Sequence, residues 1–115
     1  MNQSAPPLVT RSDRDGITSL ALNRPEALNA LSPSLFEELQ SHLTDIANRP
    51  DETGAVVLSG NGRSFSAGND LKAIEKGERA STPHQQAETL DFIERMPQPV
   101  IASVRGHCYT GALQL

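Results

Sequence analysis

Residues 55–62 read Ala-Val-Val-Leu-Ser-Gly-Asn-Gly, and the first four of them decide the fold. A short run with no polar member is the pattern of a strand buried on both faces, as happens inside a parallel sheet. Gly60-Asn61-Gly62 ends the run, and a glycine- and serine-rich loop over residues 60–69 follows at its carboxyl end. Upstream, Leu35, Phe36, Leu39, Leu43, Ile46 and Ala47 recur at helical spacing. Ser32-Pro33 supplies an N-cap and a proline at the first helical position, and Arg49-Pro50 stops the helix. Further back, Arg24-Pro25 interrupts strand pairing because proline has no amide to donate. The alternation over Leu8–Leu22, centred on Asp15-Gly16, predicts a tight hairpin of two strands.

Downstream of the loop, residues 70–76 predict a short helical turn and residues 77–83 a polar connection. A second helix is expected from Thr82-Pro83 to about Arg95, with Leu90, Phe92 and Ile93 toward the core and Pro97–Pro99 closing it. Val100–Val104 reads as another buried strand, and residues 106–115 turn back toward helix near Thr110 or Gly111. Strands alternating with helices imply an α/β fold, with right-handed crossovers, a parallel sheet and helices outside. In such sheets ligands gather beyond the carboxyl ends of the strands. The glycine-containing turns after Leu58 and after Val104 both belong there.

The 115-residue chain suits one modest domain, with residues 1–7 as a polar leader and 8–115 as the folded part. Ten Lys and Arg against fourteen Asp and Glu give a net charge of -4, which favours neither nucleic acid nor a membrane surface as partner. No apolar stretch approaches the roughly 20 residues that cross a bilayer. The single cysteine, Cys108, allows no internal disulfide, and the polar, proline-rich start lacks the apolar core of a secretory signal, so a cytoplasmic location is expected. His42, His84 and His107 show no metal-ligand spacing, and no metal is expected; His42 and His84 are read onto solvated helix faces.

Two segments stand out chemically: Ser66-Ala67-Gly68-Asn69-Asp70-Leu71-Lys72 and Gly106-His107-Cys108-Tyr109-Thr110-Gly111-Ala112. Each puts small residues where a strand ends and a helix begins. Helix N-termini carry unpaired N–H groups and the positive end of the dipole, so two of them aimed at one carbonyl oxygen would form an oxyanion hole. Glycines after strands also serve simply as turns, and composition leaves both roles open. Cys108 and Tyr109 fit packing better than catalysis, since adjacent His107 would point the opposite way along an extended segment.

These residues resemble the enoyl-CoA hydratase/isomerase, or crotonase, family across nearly all of Leu8–Leu115. Three blocks match in order: Leu22-Asn23-Arg24-Pro25-Glu26-Ala27-Leu28-Asn29-Ala30-Leu31, then Phe65 through Lys72, then Pro99-Val100-Ile101-Ala102 through Gly106 and Gly111. The resemblance implies a crotonase-like spiral of β-β-α units, a homotrimer or dimer of trimers, and an acyl-CoA thioester as substrate. Coenzyme A would be part of that substrate, with no separate cofactor. By position, the backbone N–H groups of Asn69 and Gly111 would form the oxyanion hole, next to Ala67. Ala27 and Leu28 would wall the adenine of coenzyme A, with Lys72 near its phosphates and Asp70 and Leu71 beside it. Without the match, Lys72 reads as a solvated lysine and Asp70 as an N-cap.

One departure bears on the reaction. Many family hydratases carry a glutamate where this chain has Gln114, three residues after the oxyanion-hole glycine and paired with a second glutamate further on. An amide can orient water or a thioester but exchanges no proton near neutral pH. Thr110-Gly111-Ala112 also replaces a Gly-Gly-Gly stretch, keeping the middle glycine whose amide matters. Enoyl-CoA hydration leads among the expected activities, followed by isomerisation or other crotonase chemistry, or a non-catalytic, thioester-binding fragment. The helix beginning at Gly111 stops at Leu115, so the chain is expected to be the N-terminal portion of a longer domain and weakly stable alone.

Overall fold

The computed structural model describes residues 7–62, 65, 66, 77 and 84–104. Most of the leader, the turn expected over 70–76, most of the connection over 77–83 and the turn toward helix over 106–115 lie outside the described residues. Strands β1 (Val9–Arg14) and β2 (Ile17–Leu22) form the expected hairpin, with Arg14 paired to Ile17 across Asp15-Gly16. Asp15 and Gly16 have φ of 52° and 80°, the primed two-residue turn that matches strand twist. A single 3-10 turn, Pro25–Ala27, follows β2. Helix α1 spans Pro33–Ala47; the Ser32 hydroxyl accepts the Leu35 N–H at 3.1 Å and Pro33 occupies the first turn. Strand β3 is Ala55–Gly60, helix α2 Gln85–Arg95 and strand β4 Val100–Ala102.

The sheet order is β1-β2-β3-β4. It is mixed, not purely parallel: the hairpin makes β1 antiparallel to β2, while β3 and β4 run parallel to β2. Register places Thr18 beside Val56, Leu20 beside Leu58 and Leu22 beside Gly60, all on one buried face. That face meets Leu35, Phe36, Leu39, Leu43 and Ile46 of α1 in one core cluster, with Phe65 and Met96 sealing it. Buried Gln98 donates its amide to the Ile46 carbonyl at 2.7 Å, and Gln85 donates to Pro33 at 3.1 Å, fastening α2 and its exit to α1.

Three expectations are corrected here. Strand β3 is buried on one face only: Val56, Leu58 and Gly60 are buried, whereas Ala55, Val57 and Ser59 are half-exposed, because the described core lies on the first side alone. Strand β4 ends at Ala102, two residues short of the strand expected, and is largely open: Ile101 is 56% exposed and Val104, just beyond the strand, 53%, and only Val100 reaches the core cluster. In α2 the fully buried positions are Gln85 and Thr89; Phe92 and Ile93 do pack against the core, but half-buried Leu90 does not. Because β2, β3 and β4 are parallel, the loops after all three leave the same edge of the sheet. No described helix is long and apolar enough to cross a membrane.

Candidate functional site at the carboxyl edge

The loop after β2 is folded by its own backbone. Pro25 sets the first turn, and the N–H groups of Ala27 and Asn29 reach the Arg24 carbonyl at 2.9 and 2.8 Å. The Leu28 N–H returns to Pro25 at 3.1 Å, and Leu28 and Asn29 take left-handed conformations, φ 53° and 54°. Two consecutive left-handed residues turn the chain sharply at the edge, leaving Ala27 and Leu28 half-exposed while Asn29 is wholly buried. An asparagine tolerates such a backbone because its short amide can bond locally. A half-exposed apolar pair on a fixed turn is a surface against which a flat aromatic base can lie.

The loop after β3 closes onto this turn. The Asn61 N–H meets the Leu22 carbonyl at 2.8 Å, and its side-chain amide donates to Asn23 Oδ1 at 3.0 Å. Gly62, φ 87°, passes so close to Pro25 that an added Cβ would stand 2.8 Å from the proline Cβ. The Asn29 side chain accepts the Arg24 N–H at 2.7 Å through Oδ1 and donates to the Asn61 carbonyl at 2.8 Å through Nδ2. The buried Ser66 hydroxyl donates to the Asn29 carbonyl at 2.7 Å. These contacts form a polar seam between the two loops.

Of the residues expected at the site, the structure describes Ala27 and Leu28, and it puts both at the carboxyl edge. Ala67, Asn69, Asp70, Leu71, Lys72, Gly111 and Gln114 lie outside the described residues, as do His107, Cys108 and Tyr109. Ser66 is described, and in the sequence it immediately precedes Ala67-Gly68-Asn69. The two loops' described residues contain Arg24 and Glu26 as their ionisable groups; Glu26 is exposed, and the Arg24 guanidinium donates to the Ala30 carbonyl at 3.3 Å. Acid–base chemistry therefore has no carboxylate pair among these described loop residues. Sequence reading missed Asn23, Asn29 and Asn61 as connectors. Their signal was an asparagine at the exit of β2 and of β3 and a third in the turn after β2, a residue type that caps and bridges backbone groups in turns.

Among the described residues no group of three or more His, Cys, Asp or Glu is placed to hold a metal. His84, at the N-cap position of α2 without a side-chain capping bond, is exposed as expected, while His42 is half-buried where a solvated face was expected. A groove of about 410 Å³ between α1 and α2, lined by Glu37, Gln40, Gln85, Glu88 and Phe92 among others, shares no residue with the seam.

The sequence matches the family model described as enoyl-CoA hydratase/isomerase over residues 12–115. A protein of Mycobacterium bovis named a probable enoyl-CoA hydratase is 36% identical over 114 residues, covering 94% of this chain and 41% of the relative. A peroxisomal protein of Arabidopsis thaliana named a delta(3,5)-delta(2,4)-dienoyl-CoA isomerase is 27% identical, covering 94% of this chain and 44% of its own length. The crystal structure of an enoyl-CoA hydratase/isomerase from Xanthobacter autotrophicus superposes with a TM-score of 0.83 at 32% identity, over 93% of this chain and 42% of that one. The chain thus spans about two fifths of the length of each of these three proteins, 41% for the first.

Proposed function

The chain belongs to the enoyl-CoA hydratase/isomerase family, and from that premise we propose that it binds an acyl-CoA thioester at the carboxyl edge of its sheet and stabilises the thioester enolate. Ala27 and Leu28 contact the adenine, with Lys72 at the phosphates and Ala67, Asp70 and Leu71 alongside. The amides of Asn69 and Gly111 donate to the thioester oxygen. The observation that carries this reading is the seam: it joins the turn bearing Ala27 and Leu28 to Ser66, the residue before Ala67-Gly68-Asn69. One ligand can then touch both loops with its nucleotide and its acyl group.

Two donors on the oxygen favour whichever state carries negative charge there. In hydration, water oxygen bonds to C3 and a proton reaches C2 through the enolate. Gln114 orients the water or thioester, and a carboxylate elsewhere moves the proton. Isomerisation of a 3-enoyl thioester needs the same hole: a C2 proton leaves and a proton returns at C4. Gln114 is the specific observation that favours this second reading, since one acid can serve both transfers. The complete protein is read as a homotrimer or dimer of trimers in the cytoplasm, with no cofactor beyond the coenzyme A of its substrate.

Turnover of a short 2-enoyl-CoA, followed by loss of the conjugated thioester absorbance, tests hydration in the protein as its source makes it. Hydration there supports the leading reading. Activity confined to 3-enoyl-CoA moves the assignment to isomerase. Binding without either, with hydration gained in Gln114→Glu, makes the parent a thioester-binding module, and failure to bind any acyl-CoA overturns the proposal.

A further inference from the structure

Asn29 makes more cross-loop contacts than a turn residue needs. It is 0% exposed, sits at φ 54°, and spends both ends of its side-chain amide: Oδ1 on the Arg24 N–H at 2.7 Å, Nδ2 on the Asn61 carbonyl at 2.8 Å. Its own carbonyl takes the Ser66 hydroxyl at 2.7 Å. A side chain required only to fill that space would be apolar, because a buried amide left unpaired is costly. The arrangement links three backbone segments through one residue: the turn at 24–29, the exit of β3 at Asn61, and Ser66. Gly62 against Pro25 and Asn61 on Asn23 Oδ1 leave that junction little slack.

We infer that Asn29 is a positioning residue, which through its bonds to Asn61 and Ser66 fixes the loop after β3 relative to the turn that presents Ala27 and Leu28. The inference rests on the function proposed above. A ligand held by its nucleotide on one loop and by its carbonyl on the other reacts well only if the distance between the loops is fixed. Directional hydrogen bonds centred on the buried Asn29 fix such a distance better than apolar contacts, which slide. Asn29 touches no reacting atom in this account. It acts through Ser66, whose hydroxyl is the last described link before Ala67-Gly68-Asn69.

The test separates nucleotide binding from carbonyl polarisation. Free coenzyme A is titrated calorimetrically into the parent protein and into Ser66→Ala and Asn29→Gly, glycine being chosen because it accepts the left-handed backbone. The same proteins then receive a 3-arylacryloyl-CoA, whose absorbance moves to longer wavelength when its thioester carbonyl is polarised. The expected result is unchanged affinity for free coenzyme A in Ser66→Ala, which leaves the Arg24–Asn29 bond of the turn intact, with a red shift reduced by more than half in both variants and turnover lower by about 10–10²-fold with little change in KM.

A parental red shift in folded variants overturns the inference. So does a loss of coenzyme A affinity, red shift and thermal midpoint together, which would make Asn29 structural only. Should Asn29→Gly not fold, Ser66→Ala decides alone. A parent protein that binds the arylacryloyl-CoA without any red shift, or not at all, overturns the proposed function itself and this inference with it.

Discussion

Single residues close the two ends of the sheet by different means. At the amino edge Thr18 is buried between Thr53, 2.9 Å away, and Asp13, and Gly54 donates to the Gly16 carbonyl at 2.7 Å. The Thr18 hydroxyl bond, with the Arg11 guanidinium, holds the Asp13 carboxyl below its ordinary range against the opposing effect of burial. Asp45 is lowered in the same way, first by its bond from Arg11 and then by the charge of Arg49. A carboxylate whose folded pKa lies below its unfolded value stabilises the fold above that unfolded value, near about 3.9, and stops doing so as pH falls through the folded one. The unfolding midpoint in urea should therefore drop from about pH 4 downward, and Asp45→Asn should flatten that acid limb. Asp13 is exposed and Asp45 half-exposed, so the effect should be small and shrink in about 1 M salt; an unchanged acid limb in Asp45→Asn would contradict the assignment. At the carboxyl edge, Gly62→Ala forces a left-handed alanine toward Pro25 and should cost more than about 1 kcal/mol by denaturant unfolding.

Among the elements, α1 was the most legible in the sequence, because its start, stripe and stop are all local signals. Ser32→Ala should cost about 1 kcal/mol, and Leu39→Ala, at the centre of the buried stripe, about 2–5 kcal/mol, both read from urea midpoints at constant slope. The hairpin was equally legible, since Asp15-Gly16 leaves little choice of turn. What the sequence could not convey was which faces stay open. An all-apolar run such as Ala55–Leu58 reports that a strand tolerates burial on both sides, and only the tertiary layers determine whether it receives it. Leu90, Ile101 and Val104 mislead for the same reason: their apolarity predicts the core, and nothing among the described residues covers them fully. The seam was legible only as residue types. That Asn29 would bond Asn61, 32 positions away, depends on β2 and β3 pairing in parallel register, which places their exits side by side.

At the scale of the whole molecule, the parallel run of β2, β3 and β4 converts separate sequence blocks into one edge. Two of the three blocks that resemble the family, the turn around Ala27 and Leu28 and the approach to Asn69, meet there through hydrogen bonds. The opposite edge is closed by Thr18, Thr53 and Gly54, and the groove between α1 and α2 is lined by Glu37 and Glu88, whose charge would repel an anionic coenzyme. The function proposed above would lay the thioester ligand across the loops after β2 and β3. Amide hydrogen exchange with and without butyryl-CoA, a saturated thioester that is not hydrated, tests this most directly. The account predicts slower exchange at residues 23–31 and 60–66, with residues 14–18 and 50–54 unchanged. Slowing confined to the amino edge or to the α1–α2 groove, or none at all, would contradict it.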